Sequence, residues 1–187
     1  MRKPRSNPRM PVECPERIRS LLDSLAISTD LIAARSLVLH PEARELVVAA
    51  TGEDGREFWL APDAAAKWRE MSAAALSDGV VIKIGSAFRS VDRQVEIIRA
   101  KFAEGLSPDA VLCVSAPPGY SEHHSGRAID VTTTEGAPLE VEFEKTEAFR
   151  WLSKNAARFG FVLSYPAGNP HGYDYEPWHW CFRPDKV

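Results

Sequence analysis

The apolar residues of this chain change their spacing several times, and each change marks an element. After Pro15, Ile18, Leu21, Leu22 and Leu25 fall at i, i+3, i+4 and i+7, which predicts a helix with one buried face. Three short extended runs follow: Leu37-Val38-Leu39, Leu46-Val47-Val48 and Glu57-Phe58-Trp59-Leu60. Turn residues at His40-Pro41-Glu42 and Glu53-Asp54-Gly55 separate them, so this region reads as a small antiparallel meander. Pro62-Asp63 then opens a helix that buries Trp68, Met71 and Ala75.

Val80 to Ile84 reads as a strand ending at Gly85, and Ser90 as the N-cap of a helix reaching about Phe102. Val91, Val95, Ile98 and Phe102 line the buried face of that helix. Ser115 to Gly119 is a loop. Arg127 to Thr133 is a strand with Ala128 and Asp130 on one face and Ile129 and Val131 pointing into the core. Phe143 to Phe159 predicts one helix stopped by Gly160, and Phe161–Tyr165 and Trp178–Phe182 complete the strands. Strands and helices do not alternate as a parallel sheet requires, so the expected fold is α+β. Without a repeat or linker, residues 12–187 read as one domain, with residues 15–78 as its elaboration and a mobile Pro- and Arg-rich segment at 1–11.

Composition narrows the function. With 187 residues and 44% hydrophobic content, the chain can bury a real core without help. A net charge of -3 argues against nucleic acid or an anionic membrane as the main partner, and no apolar run is long enough to span a bilayer. Met1 to Pro11 lacks the apolar stretch of an export signal, so the expected location is the cytoplasm. Cys14, Cys113 and Cys181 are odd in number and widely spaced, which excludes a disulfide framework and a Cys-x-x-Cys knuckle.

Candidate chemistry lies in two stretches. Ser121-Glu122-His123-His124-Ser125-Gly126-Arg127-Ala128-Ile129-Asp130 offers an imidazole and a carboxylate seven residues apart, and Glu176-Pro177-Trp178-His179 offers another imidazole and a carboxylate able to act as a base. Two nitrogens and one oxygen make a hydrolytic zinc site with a fourth position open for water. No His-Glu-x-x-His helix occurs, so this would be a different class of zinc hydrolase. Glu176 and His179 would face opposite ways in a regular strand, and Pro177 predicts a bulge or kink that lets both converge.

These stretches resemble the signatures of the VanY-type D-alanyl-D-alanine carboxypeptidases, bacterial peptidoglycan-peptide hydrolases that share a family with the VanX dipeptidases. The family reads Ser-x-His-x-x-Gly-x-Ala-x-Asp and Glu-Pro-Trp-His, and every fixed position is filled. Ser86-Ala87-Phe88-Arg89-Ser90 with Gln94, and Trp151-Leu152 through Ser164-Tyr165-Pro166, also agree, so the likeness runs from about residue 80 to about 182. It implies an antiparallel sheet carrying one Zn2+ per chain, held by His123, Asp130 and His179. The pattern selects His123 over His124, whose side chain would point the other way in an extended segment. Glu176 would serve as general base and Arg89 would act on the substrate near the scissile bond. Arg89, Gln94, Ser121, Tyr120 and Trp178 are the expected substrate-binding residues. His171 and His40 read as peripheral.

The implied substrate is a small peptide or muropeptide, cleaved by a D,D- or L,D-carboxypeptidase, a dipeptidase or a phage-type endopeptidase. The hedgehog signalling domains use the same zinc fold without cleaving, so a binding module is the alternative from another class, and Glu176 argues against it. A wall substrate and a cytoplasmic chain are reconciled by action on cytosolic precursors or recycled muropeptides, by release on lysis, or by a shortened chain.

Overall fold

The computed structural model describes residues 14–134 and 139–184; the segment 1–11 expected to be mobile lies outside these. Two sheets form. A two-stranded ribbon pairs β1 (Val47–Thr51) with β2 (Glu57–Leu60). A four-stranded antiparallel sheet has the order β3 (Lys83–Ser86), β4 (Ala128–Thr132), β6 (His179–Phe182), β5 (Phe161–Leu163). The α+β class and the antiparallel sheet are as expected.

Six α-helices accompany the sheets among the described residues: α1 (Glu16–Ser24), α2 (Thr29–Ala34), α3 (Pro62–Ser77), α4 (Val91–Ala103), α5 (Pro108–Val114) and α6 (Glu147–Asn155). They divide the apolar residues into two cores. One face of the four-stranded sheet sends Ile84, Ile129, Val131, Phe161, Trp180 and Phe182 against Trp68 and Met71 of α3 and Trp151 and Leu152 of α6. Ile18 and Leu22 of α1 and Ile32 of α2 pack with Val91, Val95 and Ile98 of α4 and Val111 and Leu112 of α5 in the second. The N-terminal helices therefore act as a buttress for α4, the helix that follows Arg89.

Several elements differ from their sequence pattern. Leu37–Leu39 forms no strand, so the meander has two strands rather than three. Leu37 and Leu39 instead pack against the second core, and the His40 N–H donates to the Gly119 carbonyl rather than to a strand partner. The strand expected from Val80 starts at Lys83. The helix expected over 143–159 is broken into a 3-10 turn (Val141–Lys145), α6 and a further 3-10 turn (Ala156–Phe159). The break has a local cause: the Thr146 side chain accepts from the Phe149 N–H and caps a new helix. Gly160 ends the run as expected, with φ 78°.

Candidate metal centre and substrate cavity

Strand register assembles the centre. In the β4–β6 pair, Asp130 stands opposite His179 and Ala128 opposite Cys181, while Ile129 and Trp180 pair on the core side. Directly opposite residues share a face with their Cβ atoms close together, so the carboxylate and the imidazole meet without any loop adjustment. Asp130 Oδ1 lies 3.0 Å from His179 Nδ1. His123 arrives from a 3-10 turn (Glu122–Ser125) that ends in Gly126 at φ 65°. A side chain there would be strained in the left-handed region and would also bring its Cβ to 3.0 Å from the Ala61 backbone nitrogen.

His123 Nε2 approaches Asp130 Oδ2 at 3.2 Å. The ligand-type atoms of His123, Asp130 and His179 all lie within 4.8 Å of one another, and all three residues are buried. His123 Nδ1 is 2.7 Å from the Ala87 carbonyl, an acceptor only, so Nδ1 carries the proton and Nε2 presents a lone pair. That Nε2 is buried and has no hydrogen-bond partner. A lone pair aimed at a carboxylate in a dry site is repulsive unless a cation lies between them, so this donor set fits a metal ion.

Charges in the centre follow from burial and proximity. Burial opposes ionisation of Asp130, but His123 and His179 more than offset this and hold it well below the usual carboxylate range. Burial also disfavours a charged His179, yet hydrogen bonds to Asp130 and Glu122 push it up to about 10. Without a cation, His179 is therefore an imidazolium between two carboxylates. Burial lowers the pKa of His123, against the opposing charge of Asp130.

His124 is fully buried and has both nitrogens committed to backbone. Its Nδ1 donates to the Arg89 carbonyl at 2.6 Å, and its Nε2 accepts from the Gly119 N–H at 3.2 Å. It does not enter the centre. The reason differs from the expected one, since residues 122–125 form a 3-10 turn and not an extended segment.

Glu176 and His179 converge through a turn rather than a bulge: the His179 N–H donates to the Glu176 carbonyl at 3.1 Å, and β6 begins only at His179. Glu176 Oε2 lies 3.8 Å from His179 Nδ1. Burial raises Glu176 to about 7, helped by Asp130 and opposed by His179, Arg89 and Lys101. Such a carboxyl can accept and return a proton near neutral pH.

Arg89 stands across the centre, with Nη2 3.8 Å from Asp130 Oδ2. Its fork is held from behind: Nη1 donates to Gln94 Oε1 at 3.0 Å and Nη2 to Ser86 Oγ at 3.2 Å. Gln94 is fully buried and donates in turn to the Ala116 carbonyl at 2.8 Å. The centre opens into a cavity of about 470 Å³. Arg89, Ser121, Glu176 and Trp178 line it, whereas Gln94 does not, and Tyr120 faces a smaller cavity of about 150 Å³ together with His40 and His171.

The sequence pattern missed several residues here. Glu122, at a variable position of the signature, is buried and meets His179 Nε2 at 3.0 Å. The Tyr165 ring lies against the His179 ring, tilted by 33° with centroids 4.6 Å apart. Lys101 lines the outer cavity one α4 turn beyond Ile97, and Val114, Leu139 and Val141 supply apolar wall. Nothing local in the sequence says that Glu122 meets a residue 57 positions away.

Known proteins resemble this chain in sequence and fold. A D-alanyl-D-alanine carboxypeptidase of Enterococcus faecium is 33% identical over 125 residues, covering 65% of this chain and 37% of that protein. This chain spans less than half the length of three of the curated relatives it matches. Among solved structures, the LdcB LD-carboxypeptidase superposes with a TM-score of 0.67 at 29% identity, covering 75% of this chain and 69% of that one. A glutamate-to-alanine mutant of the vancomycin-resistance D,D-pentapeptidase VanY in complex with Zn(II) gives 0.60 at 26% identity, covering 79% and 88%. The family profile described as VanY, D-alanyl-D-alanine carboxypeptidase, matches residues 57–185, so β2 and α3 fall inside the matched region. With more than half of its length matched, this chain belongs to the VanY D-alanyl-D-alanine carboxypeptidase family.

Proposed function

We propose that this chain is a zinc-dependent carboxypeptidase acting on peptidoglycan-type peptides, of D,D or L,D specificity. The observation that carries the reading is the orphaned, buried His123 Nε2 facing Asp130 and His179, with Glu176 beside them. His123 Nε2, an Asp130 oxygen and His179 Nδ1 would hold the ion. Zinc in such a site supplies Lewis acidity, activating water and polarising the scissile carbonyl at neutral pH.

The protein's own residues do the rest. Glu176, lining the cavity beside the ligand His179, accepts the proton of the attacking water and delivers it to the departing amine. Arg89 presents a preorganised fork of donors to a substrate carboxylate or to the developing oxyanion. Gln94 acts through Arg89, since it is buried behind it and away from the cavity. Ser121 and Trp178 contact the peptide from the cavity wall, and Tyr120 supports the same loop from its other side.

The substrate is a peptide of a few residues, in keeping with the cavity's size and its mixed wall of charged and apolar side chains. No described helix is long and apolar enough to cross a membrane. Metal analysis tests the centre: the protein should hold one zinc, and His123→Ala, Asp130→Ala and His179→Ala should each lose most of it while His124→Ala retains it. Equal loss from His124→Ala would overturn the ligand set.

A further inference from the structure

The carboxylate of Glu122 is poorly explained by stability alone. It sits on the far side of the His179 ring from Asp130 and lines the small cavity. Its side chain is only 6% exposed, which is costly for a charge unless every oxygen is satisfied. Three groups satisfy it. Oε2 meets His179 Nε2 at 3.0 Å and accepts from Ser164 Oγ at 2.6 Å, while Oε1 accepts from Arg183 Nη2. Ser164 follows β5 and Arg183 follows β6, so both clamps are anchored at strand ends.

We propose that Glu122 is a positioning residue that sets the tautomer of His179, and that Arg183 sets the orientation of Glu122. The reasoning is a donor–acceptor count. A carboxylate accepts only, so a neutral His179 facing Glu122 must carry its proton on Nε2. Its lone pair is then on Nδ1, the nitrogen 3.0 Å from Asp130 Oδ1. His123 does the opposite, with Nδ1 protonated against the Ala87 carbonyl and Nε2 free. Each imidazole thus has its other nitrogen locked by an acceptor, one a backbone carbonyl and one a carboxylate, so both lone pairs face Asp130. Outer partners of this kind hold ring orientation and raise basicity, and their loss costs about 10 to 100-fold in metal affinity.

The clamp by Arg183 makes a specific prediction about Glu122→Gln. Arg183 keeps an oxygen at the Oε1 position, because two donors cannot face each other, so the new amide nitrogen occupies the Oε2 position. There it donates to His179 Nε2 and drives the proton to Nδ1, where it blocks the metal-facing lone pair. Removing Arg183 frees the amide to turn over and offer its oxygen to Nε2–H.

The inference rests on the zinc reading above, and its test separates the two. Zinc affinity is measured by chelator competition on the purified zinc-loaded wild type, Glu122→Gln, Arg183→Met and the double variant. Glu122→Gln should bind zinc about 10 to 100-fold more weakly than wild type. Arg183→Met alone should fall less, and the double variant should bind at least several-fold more tightly than Glu122→Gln. If wild type holds no zinc, the functional reading fails first. If wild type holds zinc but Glu122→Gln binds equally well, or Arg183→Met worsens it further, the tautomer role is overturned while the zinc site stands. Should Glu122→Gln fail to fold, nitrogen-15 NMR of zinc-loaded wild type decides alone. A proton on His179 Nε2 supports the inference and one on Nδ1 overturns it.

Discussion

Glu176→Gln should make the zinc-free protein more stable and the zinc-loaded protein nearly inactive. The Glu176 side chain is 17% exposed, and burial raises its carboxyl from 4.5 to about 7. A carboxyl whose pKa is raised by burial is neutral in both states below its unfolded pKa, and native stability relative to that limit is lost as pH rises from the unfolded to the folded pKa. For Glu176 the window is therefore about pH 4.5 to 7, and above it the buried charge costs about 3 kcal/mol. Glutamine keeps the size and removes the charge. In metal-stripped samples at pH 8 the variant should melt roughly 5–10 °C above wild type, a gap that closes near pH 4.5. Calorimetry at the two pH values reads this directly. With zinc restored, the variant should keep its metal and lose about 10² to 10⁴-fold in kcat. Equal melting temperatures at pH 8 would refute the burial argument, and near-normal turnover would remove Glu176 as the base.

Other consequences follow from the same geometry. His124→Ala leaves the buried Gly119 N–H and Arg89 carbonyl without partners, so it should cost about 1–3 kcal/mol or more in thermal or denaturant unfolding while zinc content stays unchanged. Gly126→Ala forces a left-handed residue against the Ala61 backbone, and should destabilise by about 2 kcal/mol, seen as a Tm lowered by roughly 4–8 °C. Arg89→Lys cannot reproduce two donors shared between Ser86 and Gln94, and should lower kcat/KM at least tenfold without releasing zinc; retention of wild-type kinetics would show that the fork is not used.

Much of the site was legible because it rests on strand periodicity. Asp130 alternates with Ile129 and Val131, and that alternation alone places it opposite the core face. The helix from Ser90 was legible for a similar reason, since its cap and its apolar face agree. Partners that depend on tertiary pairing were not. The Asp130–His179 register, the Glu122–Arg183 contact and the Tyr165–His179 ring contact join residues 49, 61 and 14 positions apart, and no local pattern encodes them. Short helices also escaped. α2 and α5 have six and seven residues, too few for an apolar period, although Ser28 and Ser107 cap both and could have marked their starts. Leu37–Leu39 misled because an apolar triplet suits a strand equally well when it packs on helices.

The central claim is hydrolysis of a peptide at its free C-terminal end. Purified zinc-loaded protein, incubated with muropeptide stem peptides ending in a free carboxylate and with the same peptides amidated, should release the terminal D-amino acid from the free acids, read by mass spectrometry. A charge-assisted bond to the terminal carboxylate is worth about 1.5–3 kcal/mol, so the amides should be cleaved at least tenfold less efficiently. Equal cleavage of free and amidated peptides, or products cut at internal bonds, would contradict the carboxypeptidase account and assign the cavity to an endopeptidase.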